Sequence, residues 1–211
     1  MKELLFRILT SLALIFILYL AYNYVNFFYM VLATISIFSL IEYSQLIFKI
    51  NKNFLKRILY LFLGIIYLIS MVSLLIFKIY DIKNIIFYFI LICIVTDIGG
   101  FISGKIFKGK KLTKISPNKT FAGFYGSFIF SYITMFLYLN YLNINIVSIM
   151  ILTFSVCLLS QLGDIFFSYL KRKAKVKDTG NLLPGHGGFL DRIDGIIISV
   201  PTNILFYTIS I

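Results

Sequence analysis

Long apolar runs follow one another along the whole chain, and this feature constrains its fold more than any other. A helix that crosses a bilayer needs roughly 20 apolar residues, and such runs are predicted near 6–22, 24–41, 58–77, 84–102, 120–139, 144–163 and 193–211. Hydrophobic residues make up 60% of the 211 residues and charged residues only 13%, against about 25% charged residues in soluble domains. We therefore predict an all-α, polytopic integral membrane protein with about seven transmembrane helices, and we exclude a water-soluble core.

The apolar runs form one predicted membrane domain over 1–211, because no internal repeat or low-complexity linker separates them. At the N-terminus, Lys2 and Arg7 precede an apolar stretch and imitate a secretory signal peptide. No small-residue cleavage site follows, and the next apolar run begins at once. We expect this segment to be a retained first span.

The basic residues predict the orientation of the spans. The net charge is +12, and 18 of the 20 lysines and arginines fall in the N-terminus or in the hydrophilic segments 42–57, 103–119 and 164–192. The other two are Lys78 and Lys83. Positively charged loops stay cytoplasmic, so the three segments are predicted to share the cytoplasmic side. Basic residues placed between apolar runs are typical of loops that orient the spans or bind anionic ligands, and less so of a nucleic-acid interface. We therefore expect no nucleic-acid partner.

Common catalytic and metal-binding signatures are missing from the chain. It contains no G-x-x-x-x-G-K-[ST], G-x-S-x-G, H-E-x-x-H or C-x-x-C sequence, so P-loop ATPase, hydrolase and zinc-protease functions lose their support. Cys93 and Cys157 both lie in apolar runs and are interpreted as buried small hydrophobes. One histidine, His186, with no cysteine beside it argues against zinc.

The acidic residues are few, and most of them stand where a charged carboxylate is energetically unfavourable. Of eight, Glu3, Glu42 and Asp81 are interpreted as peripheral; the other five lie in or beside spans or in the basic segment 164–192, and they are Asp97, Asp164, Asp178, Asp191 and Asp194. A carboxylate in a membrane span usually has a partner or a function. Asp164 and Asp191 are predicted at the same membrane face, where they could hold Mg²⁺ together with phosphate oxygens. The alternative, an ion pair between each carboxylate and a nearby Lys or Arg, stays open.

The densest chemistry lies in 160–195. If this segment begins as a helix, Asp164, Ser168 and either Lys171 or Arg172 share one face. Three glycines follow in LLPGHGGFL, and they are Gly185, Gly187 and Gly188. Their backbone N–H groups could approach an anion closely, although a plain tight turn would use the same residues. His186, between these glycines, is open to a structural or a catalytic role.

A second constellation covers 97–123, which reads DIGGFISGKIFKGKKLTKISPNKTFAG. Its glycines are interpreted as the point where the chain leaves the membrane, and six lysines follow. A cytoplasmic basic loop explains most of these lysines. It explains less well the turn around Pro117, which sets Ser116 and Lys119 immediately before a span, so both residues are candidates for binding a substrate.

These residues resemble a known family. The stretch reads Ser168-Tyr-Leu-Lys171-Arg172, four residues, Lys177-Asp178-Thr-Gly180, two residues, Leu183-Pro184-Gly185-His186-Gly187-Gly188-Phe-Leu-Asp191-Arg192-Ile-Asp194. It resembles, without a mismatch, the signature of the phosphatidate cytidylyltransferases, or CDP-diglyceride synthetases. The block from Asp97 to Gly123 is similar to the family as well. Departures from the family pattern occur at Ile98, at Gly100 and Phe101, and at Ala122.

The resemblance covers roughly 94–200 and divides the domain into N-terminal spans, 1–83, and a catalytic half, 84–211. It implies that CTP and phosphatidate react at the bilayer to give CDP-diacylglycerol and pyrophosphate, with Mg²⁺ as cofactor. The resemblance implies Asp164 and Asp191 as metal ligands. Further catalytic residues that it implies are Lys171, Arg172, Lys177, Asp178, His186, Arg192 and Asp194. Substrate-binding residues that it implies are Asp97, Ser116, Lys119, Ser168, Gly185, Gly187 and Gly188.

Three other functions share some of these features. A CTP-dependent polyprenol or phytol kinase would use the same nucleotide but transfer the γ-phosphate. A CDP-alcohol phosphotransferase would need a D-G-x-x-A-R motif, which is absent. A transporter or membrane scaffold would explain the spans but not the cluster of acids and glycines. The Ile-, Lys- and Asn-rich composition favours a bacterial inner membrane. The basic segments predict an active site that faces the cytoplasm. A homodimer is a candidate assembly.

Overall fold

The computed structural model describes residues 2–113, 115–116, 119–142, 144–180 and 187–210, with the backbone alone at 2–8, 140 and 210. Over these residues the chain forms six helices. They are α1 (Lys2–Asn23), α2 (Val25–Ile50), α3 (Phe54–Phe107), α4 (Phe121–Leu142), α5 (Ile146–Lys173) and α6 (Leu190–Ser210). The all-α, polytopic prediction is confirmed.

Four of the helices are both long and apolar enough to cross a membrane: α2, α3, α4 over Phe121–Leu139, and α5. The α1 helix contains a shorter apolar stretch, Leu9–Asn23. The count of seven spans stays a prediction. Large apolar side chains such as Leu12, Ile15 and Phe62 are exposed, as expected where the neighbouring medium is lipid.

The α3 helix joins two of the predicted spans, 58–77 and 84–102. Its 54 residues have a contour of about 80 Å, which exceeds twice the roughly 30 Å of a hydrocarbon core. The helix is kinked at Ile82, where φ is −130° and ψ is 32°. Where the sequence predicts a loop containing Lys78 and Lys83, the structure has this kink.

The non-helical loops are shorter than the hydrophilic segments predicted from the sequence. Only 51–53 is non-helical within 42–57, because α2 runs to Ile50 and α3 begins at Phe54. Likewise α3 continues to Phe107 and α5 to Lys173. Polar side chains do not end a helix, since backbone hydrogen bonds continue past the apolar stretch.

The chain divides into two compact units, and each is described by itself. Unit 1 comprises Met1–Asp81 and Leu170–Ile193, and unit 2 comprises Ile82–Tyr169 and Asp194–Ile211. The prediction of a single domain over 1–211 stays a prediction.

Small residues bring helices of unit 2 into backbone contact. A Cβ added at Gly123 of α4 would lie 2.8 Å from the carbonyl oxygen of Gly100 in α3, and one at Gly163 of α5 would lie 2.8 Å from that of Asp194 in α6. Such positions are typical of membrane helix pairs. Gly99, Gly100 and Gly104 lie inside α3, where each faces a neighbour closely, and their interpretation as the exit from the membrane stays a prediction.

Buried polar contacts accompany this packing. The hydroxyls of Tyr88 and Thr153 lie 2.6 Å apart, and Ser199 donates to the carbonyl oxygen of Val156 at 2.9 Å. Cys93 and Cys157 are buried in the same unit, as predicted. A polar side chain in a membrane interior needs such partners, because neither lipid nor apolar protein supplies them.

Candidate active site

In unit 1, an ion pair connects the end of α5 to the start of α6. Nζ of Lys171 lies 2.6 Å from Oδ1 of Asp191, and the two side chains are only 12% and 9% exposed. Ion pairs this far from water contribute only when hydrogen bonds satisfy the remaining polar atoms. The other oxygen of Asp191 has such partners.

Asp191 also binds the backbone of the loop that separates the two helices. Its Oδ2 accepts hydrogen bonds from the N–H groups of Thr179, at 2.8 Å, and Gly188, at 3.1 Å. Thus three donors are directed at one carboxylate, which offers about four acceptor positions. The ion pair weighed for Asp191 in the sequence therefore exists in the structure, and one acceptor position of the carboxylate is left.

The structure corrects the interpretation of Glu42 as peripheral. This residue lies in α2, and its side chain is buried, with 1% exposed. It accepts hydrogen bonds from the Thr179 hydroxyl at 2.6 Å and from the N–H groups of Phe189 and Leu190, each at 2.8 Å. A carboxylate in the middle of the apolar stretch FSLIEYSQLIF is the signal that could have identified it.

In unit 2, a contact joins the two constellations found in the sequence. Lys119, three residues after Ser116, forms an ion pair with Asp164 of α5, and the side chains are 24% and 29% exposed. Ser168 donates to Oδ1 of Asp164 at 3.3 Å, which confirms that Asp164 and Ser168 share a helix face. Each oxygen of Asp164 thus has a polar neighbour, and the side chain as a whole is partly open to solvent.

Short backbone contacts hold Lys119 in place. Its N–H group donates to the carbonyl oxygen of Ser116 at 3.1 Å, and its carbonyl oxygen accepts from Leu112 N–H at 2.8 Å. Ser116 N–H in turn donates to the Thr113 hydroxyl at 3.1 Å. These contacts therefore fix the backbone of Lys119 directly before α4.

The remaining predicted residues are distributed over both units. Arg172, Lys177, Asp178 and Arg192 are exposed in unit 1. In unit 2, Asp97 is exposed, whereas Asp194 is buried and accepts from Gly195 N–H at 2.8 Å. Gly185 and His186 lie outside the described residues.

Two of the predicted anion-binding glycines have structural roles in the loop before α6. Gly188 already donates its N–H to Asp191, so that group is not free for a phosphate. Gly187 has φ of +81°, a conformation that favours glycine, and a Cβ there would contact Asp178 at 3.3 Å. Both glycines shape the loop, whatever else they bind.

The donor set fits a divalent cation that is held mainly by substrate and water. Among the described residues, no three His, Cys, Asp or Glu side chains converge as a cage for a metal. Mg²⁺ is commonly bound by one or two carboxylates plus phosphate oxygens and water, and Asp164 and Asp191 each have acceptor capacity left. They belong to different units, so their joint action stays a prediction.

Comparisons with known proteins agree with this chemistry. A family model described as "Cytidylyltransferase family" matches residues 1–210, which extends the similarity beyond 94–200 into the N-terminal spans. The phosphatidate cytidylyltransferase of Rickettsia bellii is 40% identical over 163 residues, 72% of this chain and 70% of the relative. That of Rickettsia felis is 38% identical over 159 residues, covering 70% and 69%. The phosphatidate cytidylyltransferase of Bacillus subtilis is 40% identical over 119 residues, covering 55% and 44%.

Proposed function

Since this chain belongs to the cytidylyltransferase family, we infer that it transfers the cytidylyl group of CTP to phosphatidate. The products are CDP-diacylglycerol, a precursor in phospholipid synthesis, and pyrophosphate. A phosphate oxygen of the lipid forms a bond to the α-phosphorus of CTP, and the bond from that phosphorus to the β-phosphate oxygen breaks. The nucleophile is already an anion, so the reaction requires charge neutralisation and alignment more than a strong general base.

The observation that carries this function at residue level is the arrangement around Asp191. Lys171 and Asp191, which stand 20 residues apart, form one buried pair, and the same aspartate holds the backbone of the intervening signature loop at Thr179 and Gly188. We propose that this closed loop presents Arg172, Lys177 and Arg192 to the triphosphate. Preorganised cations of this kind stabilise the negative charge that shifts to the departing pyrophosphate.

We propose Mg²⁺ as the cofactor, with Asp164 and Asp191 as the residues that would hold it. Nucleotidyl transfer generally uses a divalent cation, and when bound it would neutralise phosphate oxygens and orient the triphosphate. In the structure, the Lys119 ammonium group forms an ion pair with Asp164. In the proposed function Lys119 would move its charge to the lipid phosphate, while Ser116 would keep its turn in place.

We propose that the reaction occurs at the cytoplasmic face of a bacterial inner membrane, and that the assembly is a homodimer. The distribution of basic residues supports the orientation. It also brings the site to the side where CTP is dissolved, while phosphatidate stays in the bilayer.

The experiment that tests the function uses CTP labelled at either the α- or the γ-phosphorus, with purified protein and phosphatidate in detergent micelles. We expect the α-label to enter the lipid product, the γ-label to leave as pyrophosphate, and both results to require Mg²⁺. Entry of the γ-label into a lipid would instead identify a CTP-dependent lipid kinase. If neither label left CTP, both functions would be contradicted.

A further inference from the structure

We propose that Glu42 is a positioning residue which ties together the two ends of the signature loop, and that it thereby aligns the basic residues that flank the loop, Lys177 and Arg192, for catalysis. The loop runs from Thr179 to Leu190, and Glu42 reaches it from α2, 137 residues away in sequence from Thr179. This inference rests on the proposed function for its catalytic consequence. Its structural content, that one buried carboxylate ties both ends of the loop, is independent of it.

The contacts of Glu42 fall on both ends of the loop. At one end, its Oε2 accepts from the Thr179 hydroxyl at 2.6 Å. At the other end, Oε1 accepts from Phe189 N–H and Oε2 from Leu190 N–H, each at 2.8 Å. Because both oxygens are used, a side chain with a single acceptor oxygen could not satisfy the same three donors.

Asp191 ties the same two ends by different atoms. It accepts from the Thr179 N–H and from the Gly188 N–H, whereas Glu42 takes the Thr179 hydroxyl. Thr179, which is 4% exposed, is therefore held through its backbone by one carboxylate and through its side chain by the other. Removal of either acid would leave buried donors without acceptors, which is unfavourable because those donors have no water to replace the lost hydrogen bonds.

Glycines at the two ends of the loop make room for Glu42 and for the approach of the two ends. A Cβ at Gly180 would lie 2.6 Å from Oε1 of Glu42, whereas a Cβ at Gly188 would meet the Thr179 hydroxyl and the Gly180 backbone first and Oε2 of Glu42 at 2.7 Å. Real Cβ atoms do not approach this closely. Both positions therefore exclude side chains so that the carboxylate can enter between the two ends of the loop.

The placement of Glu42 also suits the beginning of α6. Leu190 is the first residue of that helix, and N–H groups at a helix N-terminus lack partners within the helix. A carboxylate there acts as a cap and interacts favourably with the helix dipole. The ring of Phe38, in the same helix as Glu42, contacts the ring of Phe189 with centroids 5.7 Å apart, so α2 holds this end of the loop by two side chains.

The test compares Glu42→Gln with Ser39→Ala. The amide keeps the shape of the acid but offers one acceptor oxygen and directs an NH₂ group at N–H or O–H donors. Ser39 is the matched control, because it is equally buried in α2 and its hydroxyl has no partner among the described residues. We expect Glu42→Gln to lower kcat at least tenfold, with the KM for phosphatidate changed less than twofold, and Ser39→Ala to leave both within twofold.

Hydrogen exchange separates positioning from general stabilisation and needs no activity. In Glu42→Gln, the amides of Phe189 and Leu190 should exchange at least tenfold faster, while those in the middle of α4 stay unchanged. Faster exchange across the whole chain, or unchanged exchange at both amides, would overturn the inference. If exchange changes as expected but the wild type does not convert CTP, the proposed function fails and the loop tie stands.

A second pair of variants keeps the proposal testable should Glu42→Gln not accumulate. Thr179→Val removes the hydroxyl at nearly constant volume, whereas Thr179→Ser keeps it. Thr179→Val should lose about tenfold more of kcat than Thr179→Ser, and its effect should be less than additive with that of Glu42→Gln. Equal losses in the two threonine variants, or full additivity, would contradict the shared hydrogen bond as the cause.

Discussion

Nζ of Lys171 and Oδ1 of Asp191 lie 2.6 Å apart and are almost excluded from solvent. They occupy the last turn of α5 and the first turn of α6. The pair therefore joins the two ends of the segment that carries the signature. Loss of either partner would leave the other charge nearly buried and without its counter-ion. The ion pair between Lys119 and Asp164 is more accessible to solvent, so substitutions in the two pairs should affect stability differently.

Lys171→Met should abolish turnover and also weaken the fold. The methionine fills much of the volume of lysine but leaves the Asp191 carboxylate without its counter-ion, and breaking a buried pair in this way costs about 3–5 kcal/mol. We expect a kcat at least a hundredfold lower and a clear decrease in the midpoint of thermal unfolding in detergent. The control is Lys173→Met, an exposed residue of the same helix. Wild-type melting of Lys171→Met would argue against a stabilising pair.

Asp191→Asn and Asp164→Asn should both abolish turnover but differ in their effect on stability. Loss of a transition-state electrostatic contact costs about 10²–10³ in kcat. Asp191 has three donors within the fold, so its variant should also melt earlier. Asp164 is more accessible, and its variant should melt like the wild type.

Asp81→Asn is the control for both aspartates, because Asp81 is exposed and lies 3.8 Å from Lys78. Its activity and melting should match those of the wild type. More than about a tenth of wild-type activity in Asp164→Asn or Asp191→Asn at saturating Mg²⁺ would make that residue an ion-pair partner and not a metal ligand.

Lys119→Ala should raise the KM for phosphatidate more than the KM for CTP. Lys119 lies directly before α4, with its backbone bound to Ser116 and Leu112, and in the proposed function its charge becomes available to the lipid phosphate once it leaves Asp164. Steady-state kinetics in mixed micelles, with each substrate varied in turn, measure the two constants. Lys111→Ala removes an exposed base of the same loop and should change neither constant. Equal increases in both constants for Lys119→Ala would contradict a role at the lipid phosphate.

Gly123→Ala should destabilise unit 2 more than Gly104→Ala. The new Cβ at Gly123 would meet a backbone oxygen at 2.8 Å, whereas that at Gly104 would meet the Thr120 hydroxyl at 3.1 Å, and a hydroxyl can rotate. Overpacking against backbone typically costs about 1–3 kcal/mol. Thermal unfolding in detergent should show a lower midpoint for Gly123→Ala. Equal midpoints in the two variants would mean that α3 and α4 separate easily at this crossing.

Lys110→Cys and Lys173→Cys should both react with a membrane-impermeant maleimide from the cytoplasmic side alone. Both positions are exposed, whereas the native Cys93 and Cys157 are buried and should contribute little background. Labelling of right-side-out and inverted vesicles measures the orientation. Reaction of the two positions from opposite sides would contradict the predicted topology.

Part of the candidate site can be identified from sequence alone. Lys171 and Asp191 are predicted because they stand at fixed spacing in a signature, and Asp164 because it ends an apolar run at the same predicted membrane face; each makes a specific contact in the structure. Glu42 is missed because no local motif includes it, and a peripheral place is predicted for it instead. The cost of a charge inside an apolar run, applied to Asp97 and Asp164, would have identified Glu42 as well.

Sequence by itself determined the apolar runs, and with them a helical membrane protein, because in lipid a backbone must satisfy its own hydrogen bonds. It also determined the chemistry, since the signature combines bases, acids and glycines at set distances along the chain. Only the tertiary structure decided which donors each acid would bind. Helix periodicity predicts contacts three or four residues apart, whereas the bond between Glu42 and Thr179 spans 137 residues and depends on how α2 packs against the returning loop.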